Sequence, residues 1–239
     1  MPLPRSLKQP LQSAVERLLR ITVSRPQHGQ RDCADIAAIG CRIDIIFDVG
    51  ANVGQTATHF RESFPKSTIH CFEPVKSTFE NLTRSLVRDP QVICHNVALS
   101  DALGETTIYI TDNSTMSSLK APEQYTRAET VNLSTVDAYA SKAGVDRIDI
   151  LKIDAEGHDL KVLKGAGGLL SNGRIAFVLA EVGFMPGDDR HVLFDEVREL
   201  LRPYGHHPYG FYGQTLEWSG ERRLRYANAL FCNEQAFRE

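Results

Sequence analysis

Five polar residues close apolar runs in this chain: Asp48, Glu73, Asn96, Asp154 and Glu181. A carboxylate ending an apolar strand is costly to bury unless it pairs or binds something. The first precedes a glycine turn, Asp48-Val49-Gly50-Ala51-Asn52-Val53-Gly54. The turn opens like a dinucleotide site, but Asn52 stands where G-x-G-x-x-G needs its middle glycine, and the Gly-Lys-Ser/Thr of a phosphate loop is absent. An acid two residues before Gly50 would repel a pyrophosphate and attract an ammonium, and glycines let the backbone pass close to a ligand. Glu73 lies 23 residues after Gly50, where a carboxylate can accept both hydroxyls of a ribose. Asn96 and Val97 would frame an adenine edge. Ammonium, ribose and adenine together describe S-adenosylmethionine, so Asp48, Gly50, Asn52, Gly54, Glu73, Asn96 and Val97 are the expected cofactor residues. For Gly50 and Gly54 a tight strand–helix turn without ligand is the competing explanation.

Methyl transfer to a hydroxyl needs an acceptor held in line and a base to take its proton. "KIDAEGHD" places Lys152, Asp154 and Glu156 at alternate positions, on one face of a continuing strand. Asp154 is the first choice of base. Glu156 is a second, with capping of the next helix as an equal alternative. Glu181 ends the nearly pure apolar run "IAFVLAE" and could act as a further base. Asp154 and Glu181 could alternatively hold Mg²⁺, an ion that prefers oxygen ligands; the spacing does not demand it. For His158 a surface position or substrate contact is expected rather than catalysis.

These residues need a scaffold that brings strand ends together. "IDIIFDV", "STIHCFEP" and "QVICHNVAL" read as buried strands separated by helical patterns, and "RIDILKID" and "RIAFVLAEV" resume the alternation. Such a pattern gives a parallel sheet with right-handed crossovers. The tail, with "HHPYGFYG", "QTLEWSG" and "RLRYANALFCN", reads as antiparallel edge strands. The expected fold is α/β, a doubly wound, mostly parallel seven-stranded sheet with a small β insertion after the third strand, at about 104–135. Ligands of such sheets sit beyond the carboxyl ends of the strands. The polar segment 113–127, with Ser114, Thr115, Ser117 and Ser118, is a candidate lid. Tail aromatics Tyr204, Tyr209, Phe211, Tyr212 and Trp218 would suit a sugar face, but edge-strand packing accounts for them at least as well. His59, His70 and His95 fall in helix or strand patterns and are expected to be structural.

At 42% apolar and 24% charged residues, the chain has the composition of a soluble globular domain. Net charge is −3, with residues 1–31 at +5, so the remainder carries −8. An acidic body argues against a nucleic-acid partner. The basic arm, 1–31, contains an amphipathic segment, Leu11 to Ile21; packing on the domain is its expected fate, and contact with an anionic membrane or lipid-linked substrate the alternative. Residues 32–239 would then form a single domain. The N-terminus lacks the apolar core of a signal peptide, and five unpaired-looking cysteines fit reduced thiols in a cytoplasmic protein.

The segments "FDVGANVGQTA", "CFEPVKSTFENL", "NVALSDALGE", "LSTVDAYA", "DILKIDAEGHDLKVLKGA" and "AFVLAEV" together resemble the FkbM family of S-adenosylmethionine-dependent methyltransferases over roughly residues 43–182. "LKIDAEG" is the most specific of them. The resemblance implies a class I methyltransferase fold and O-methylation of sugar, glycoconjugate or secondary-metabolite hydroxyls. His158 departs from the small apolar residue that relatives carry there and would tune the acceptor. A Mg-dependent variant and a non-catalytic cofactor-binding module are the competing functions.

Overall fold

A computed structural model describes residues 31–110, 125–187, 190–216 and 223–237. Helix α1 (Arg31–Ile39) leads into β1 (Ile45–Val49), α2 (Gln55–Ser63), β2 (Thr68–Phe72), α3 (Lys76–Leu86) and β3 (Val92–His95). A smaller section follows: β4 (Ala98–Leu99), β5 (Gly104–Ile110) and β6 (Arg127–Ser134). The main alternation resumes with α4 (Val136–Ala143), β7 (Ile148–Ile153), α5 (Asp159–Lys164), α6 (Gly167–Ser171) and β8 (Ile175–Gly183). The chain ends with β9 (Val192–Leu193), α7 (Phe194–Leu201), β10 (His207–Leu216) and β11 (Leu224–Cys232).

The main sheet runs β10-β11-β8-β7-β1-β2-β3, with short β9 beside β8. Strands β3, β2, β1, β7 and β8 are parallel; β11 is antiparallel to both β8 and β10. The expected seven-stranded doubly wound sheet is therefore present. Its middle strands are apolar on both faces because helices cover both. In β1, Phe47 and Val49 face a cluster that includes Val136 of α4, Val162 of α5 and Val197 of α7, while Ile46 faces Ile36 of α1, Phe60 of α2 and Leu82 of α3. Burying each such side chain contributes about 1.5–3 kcal/mol.

The chain winds outward from β1 to β3, then returns to β7 on the other side of β1. The strand order thus reverses between β1 and β7, where crossovers leave in opposite directions and a crevice opens at the carboxyl ends.

The sequence pattern differs from the structure in two places that matter. "QVICHNVAL" is not one strand. After β3 the side-chain amide of Asn96 donates to the carbonyls of Glu73 (2.9 Å) and Pro74 (2.8 Å), and the chain turns out of the main sheet. Ala98 and Leu99 pair instead with Leu133 and Ser134, which gives a separate three-stranded sheet, β4-β6-β5. The helix expected over "HDLKVLKGAGGLL" divides into α5 and α6 at Gly165, where any Cβ would overlap the carbonyl of Ser100.

Candidate functional site

A cavity of about 360 Å³ lies at the carboxyl ends of β1, β2 and β7, walled by the glycine turn, Glu73, the 97–99 segment, Ile108 of the small sheet and residues 152–158. That size suits a drug-sized organic ligand.

The glycine turn is shaped first by its neighbours. The N–H groups of Gly50 and Ala51 both donate to the carbonyl of Phe72, each at 3.0 Å. Gly50 has φ 74°, and a side chain there would overlap the Asp154 carbonyl. So Gly50 is required by the end of β7, whatever ligand it also faces. Asn52 takes the left-handed region with φ 48°, which asparagine tolerates better than most residues. Its N–H donates to Glu73 Oε2 at 3.1 Å, while the Val75 N–H donates to Oε1 at 2.9 Å. Glu73 is thereby held at the cavity wall with lone pairs left on both oxygens. Burial pushes its carboxyl up to about 7 against those two amide donors. Gly54, with φ 96°, opens α2 and lies against Leu82 and Leu86. It is a turn and packing residue off the cavity wall.

Asp48 is fully buried and does not line the cavity. The ammonium it faces is the chain's own: Lys152 Nζ lies 3.3 Å from Asp48 and 3.4 Å from Asp154. Burial pushes Lys152 down, but Asp154 and Asp48 outweigh it and hold the ammonium raised and charged. Asp48, expected to face the ammonium of a ligand, thus has a lysine of the chain as its neighbouring cation. Asp154 is the member of this triad whose carboxylate is substantially open to solvent, and it reaches the cavity.

Past β7 the strand geometry ends, because Glu156 has φ 48° and Gly157 φ 83°. A glutamate held in the left-handed region is strained, and such strain clusters at functional sites. Glu156 lines the cavity. Burial, then the charges of Asp154 and Glu181, push its carboxyl up to about 7 in spite of His191 and Arg190. No side chain makes a cap hydrogen bond at the start of α5, and Asp159 Oδ1 accepts the Ala155 N–H at 3.4 Å and braces the turn. Burial raises Asp159 to about 6. His158 also lines the cavity, with Nε2 2.9 Å from Ser100 Oγ. The Ser100 hydroxyl also lies 3.1 Å from Asp101 Oδ1.

Glu181 stands beside the cavity wall, not on it. It pairs with His191 Nε2 at 3.1 Å, and His191 stacks on Tyr226. Among the described residues, Asp154, Glu156 and Glu181 do not come together as a three-donor metal group. Of the two carboxylates that the Mg²⁺ alternative names, Asp154 lines the cavity and Glu181 pairs with His191. Asn96 holds the backbone turn described above, and Val97, Leu99 and Ile108 supply an apolar wall. Lys152, Asp159 and Ser100 were not singled out as a working set from sequence. A buried lysine two residues before Asp154 was the available signal.

Of the described tail aromatics, Tyr204, Phe211 and Tyr212 are packing groups, while Tyr209 is exposed. Tyr212 donates to Asp35 at 2.8 Å, and Phe211 packs on Phe184 and Phe194. The Tyr139 hydroxyl bridges His70 (2.9 Å) and His95 (2.7 Å), away from the cavity wall. Residues 1–30 of the basic arm, Ser114, Thr115, Ser117, Ser118 and Trp218 lie outside the described residues. Among those described, no helix is long and apolar enough to cross a membrane.

The cavity meets the demands of S-adenosylmethionine: a buried carboxylate with free lone pairs for a diol, an apolar wall for a base, and acids where a cation would lie. Comparison with known proteins agrees. The sequence model of the methyltransferase FkbM domain matches residues 48–208. Hexuronic acid methyltransferase AglP of Haloferax volcanii is 29% identical over 146 residues, 61% of this chain and 59% of that protein. The aligned part thus spans less than two thirds of AglP. 31-O-demethyl-FK506 methyltransferase FkbM of Streptomyces tacrolimicus is 28% identical over 68% of this chain and 72% of its own length. The 2-O-methyltransferase NoeI of Sinorhizobium fredii is 24% identical over 72% and 76% respectively. Among solved structures, magnesium protoporphyrin IX methyltransferase of Synechocystis superposes with a TM-score of 0.47 at 11% identity, over 98% of this chain and 86% of that one.

Proposed function

The chain belongs to the FkbM methyltransferase family, and on that premise we propose that it moves the methyl group of S-adenosylmethionine to a hydroxyl oxygen of a sugar or other small-molecule acceptor. The relatives named for a 2-O position and for 31-O-demethyl-FK506 support a hydroxyl oxygen as the acceptor group, and the one named for a hexuronic acid supports a sugar. The cofactor, when bound, supplies an activated methyl carbon. Everything else falls to the protein's own groups.

Glu73 accepts the ribose hydroxyls on lone pairs its two amide donors leave unused. Val97, Leu99 and Ile108 enclose the adenine. Asp154, held by Lys152, faces the ammonium end, the part first given to Asp48. Glu156 takes the acceptor's proton. The observation that carries this assignment is a cavity-lining carboxyl raised to about 7 by burial and neighbouring acids. A base matched to working pH is the more effective one. Asp154, tied to an ammonium, is the weaker base candidate. Glu181 sets the charge around Glu156 through space.

Calorimetry with S-adenosylmethionine and the demethylated product, followed by methyl transfer to a panel of neutral and acidic glycosides, tests the proposal. Cofactor binding with transfer to at least one hydroxyl acceptor supports it. No cofactor binding by the folded protein would overturn it.

A further inference from the structure

We infer that Asp32, Cys33 and His59 form a site for one divalent transition-metal ion, with zinc the best chemical match, separate from the methyl-transfer cavity. Asp32 and Cys33 stand in the first turn of α1, and His59 lies on α2. A carboxylate oxygen, the thiol sulfur and an imidazole nitrogen all lie within 4.8 Å of one another. Zinc binds oxygen and nitrogen at about 2.0–2.2 Å and sulfur at about 2.3 Å in a tetrahedron, which sets its ligand atoms about 3.3–3.8 Å apart. His59 Nε2 and Asp32 Oδ1 already stand at 3.3 Å.

The donors are of three kinds, and that set selects the metal. Thiolate and imidazole suit zinc and its transition-metal neighbours, whereas Mg²⁺ and Ca²⁺ take oxygen ligands. Two of the three donors are also oriented by neighbouring groups, as ligands of real sites are. The Cys33 N–H donates to Asp32 Oδ1 at 2.8 Å and fixes the carboxylate rotamer. Ser63, one turn along α2 from His59, hydrogen-bonds the Cys33 side chain. Asp32 and Cys33 are buried, while the His59 side chain keeps 24% of its exposure. The site is therefore enclosed on the protein side and open on one flank, for entry of the ion and for a water in the fourth position. A helix N-terminus disfavours a cation, but the two anionic ligands exceed the half-charge of the dipole.

Such an ion would clamp α1 to α2. The first turn of α2 carries Gln55 and Thr56, which line the cavity, so the clamp would steady that wall. The test uses the full-length protein, freed of metal with a chelator and titrated with zinc in a calorimeter. One ion per chain is expected, with a rise in Tm on binding, and at least tenfold weaker binding in both Cys33→Ser and His59→Gln. With Co²⁺ as probe, a thiolate-to-cobalt charge-transfer band should appear and vanish in Cys33→Ser. The partly exposed His59→Gln variant decides the matter if Cys33→Ser fails to fold. Absence of stoichiometric zinc binding, or unchanged affinity in His59→Gln, would overturn the site and leave a plain hydrogen-bonded cluster.

Discussion

The ammonium of Lys152, a buried residue of the cavity wall, lies 3.3 Å from the carboxylate of Asp48 beneath it. The pair is a fixed part of the fold. Removing one partner of such a pair leaves the other charge uncompensated, at about 3–5 kcal/mol. Lys152→Met should lower unfolding free energy in urea by about that much. The loss should shrink at low pH, where a protonated Asp48 tolerates burial, and Asp48→Asn in the same chain should restore part of it. Equal losses at pH 5 and pH 8 would show that charge is not the cause.

Base and cofactor acid separate by mutation. Glu156→Gln should cut kcat by about 10²–10⁴ with cofactor affinity little changed. Asp154→Asn should weaken cofactor binding first. In the wild type, kcat/KM should rise with pH through about 7, where Glu156 becomes charged. Full turnover by Glu156→Gln would return the role of base to Asp154.

Cofactor affinity should itself depend on pH. Free Glu73 titrates near 7, and two hydroxyl donors favour its carboxylate. Binding should therefore tighten as pH rises from 6 to 8, by up to about tenfold. Glu73→Gln should bind more weakly and lose that slope, which calorimetry at several pH values reads directly.

Stability should run the opposite way. Glu73, Glu156 and Asp159 have folded values of about 7, 7 and 6, all above the ordinary carboxyl range. An acid raised on folding contributes stability that is fully present below its unfolded value and lost as pH rises through its folded value. The cofactor-free protein should lose Tm between about pH 4.5 and 7. Glu156→Gln should raise Tm by a few degrees at pH 8 and leave it unchanged at pH 4, a stability gain at the expense of activity. A Tm that climbs across this range would contradict the burial of these groups.

The scaffold was legible because apolar runs alternate with helical periods, and the polar residues ending those runs mark the cleft. Glu73 and Asp154, which end such runs, both line the cavity, and so does Glu156 two residues further on. The rule could not separate a side chain facing the cavity from one facing its neighbour strand. Asp48 pairs with a lysine about a hundred residues away in sequence, and Asn96 spends its amide on two carbonyls. Glu181 looked like a cleft acid, yet a histidine in the following loop takes it. Strand breaks were equally hidden: the departure of β4 depends on pairing with β6, more than thirty residues on.

That departure divides the molecule's adaptability. Val75, Ala98, Ile108, Ile110 and Val131 form a small hydrophobic cluster of their own. The part of the wall that carries Ile108 can therefore be rebuilt with little disturbance to the large sheet that holds Glu73 and Asp154. The two halves of donor recognition, ribose and ammonium on one side and adenine on the other, are inherited through different cores. A lineage could thus retune the grip on the adenine while leaving the ribose and ammonium contacts of the large sheet in place.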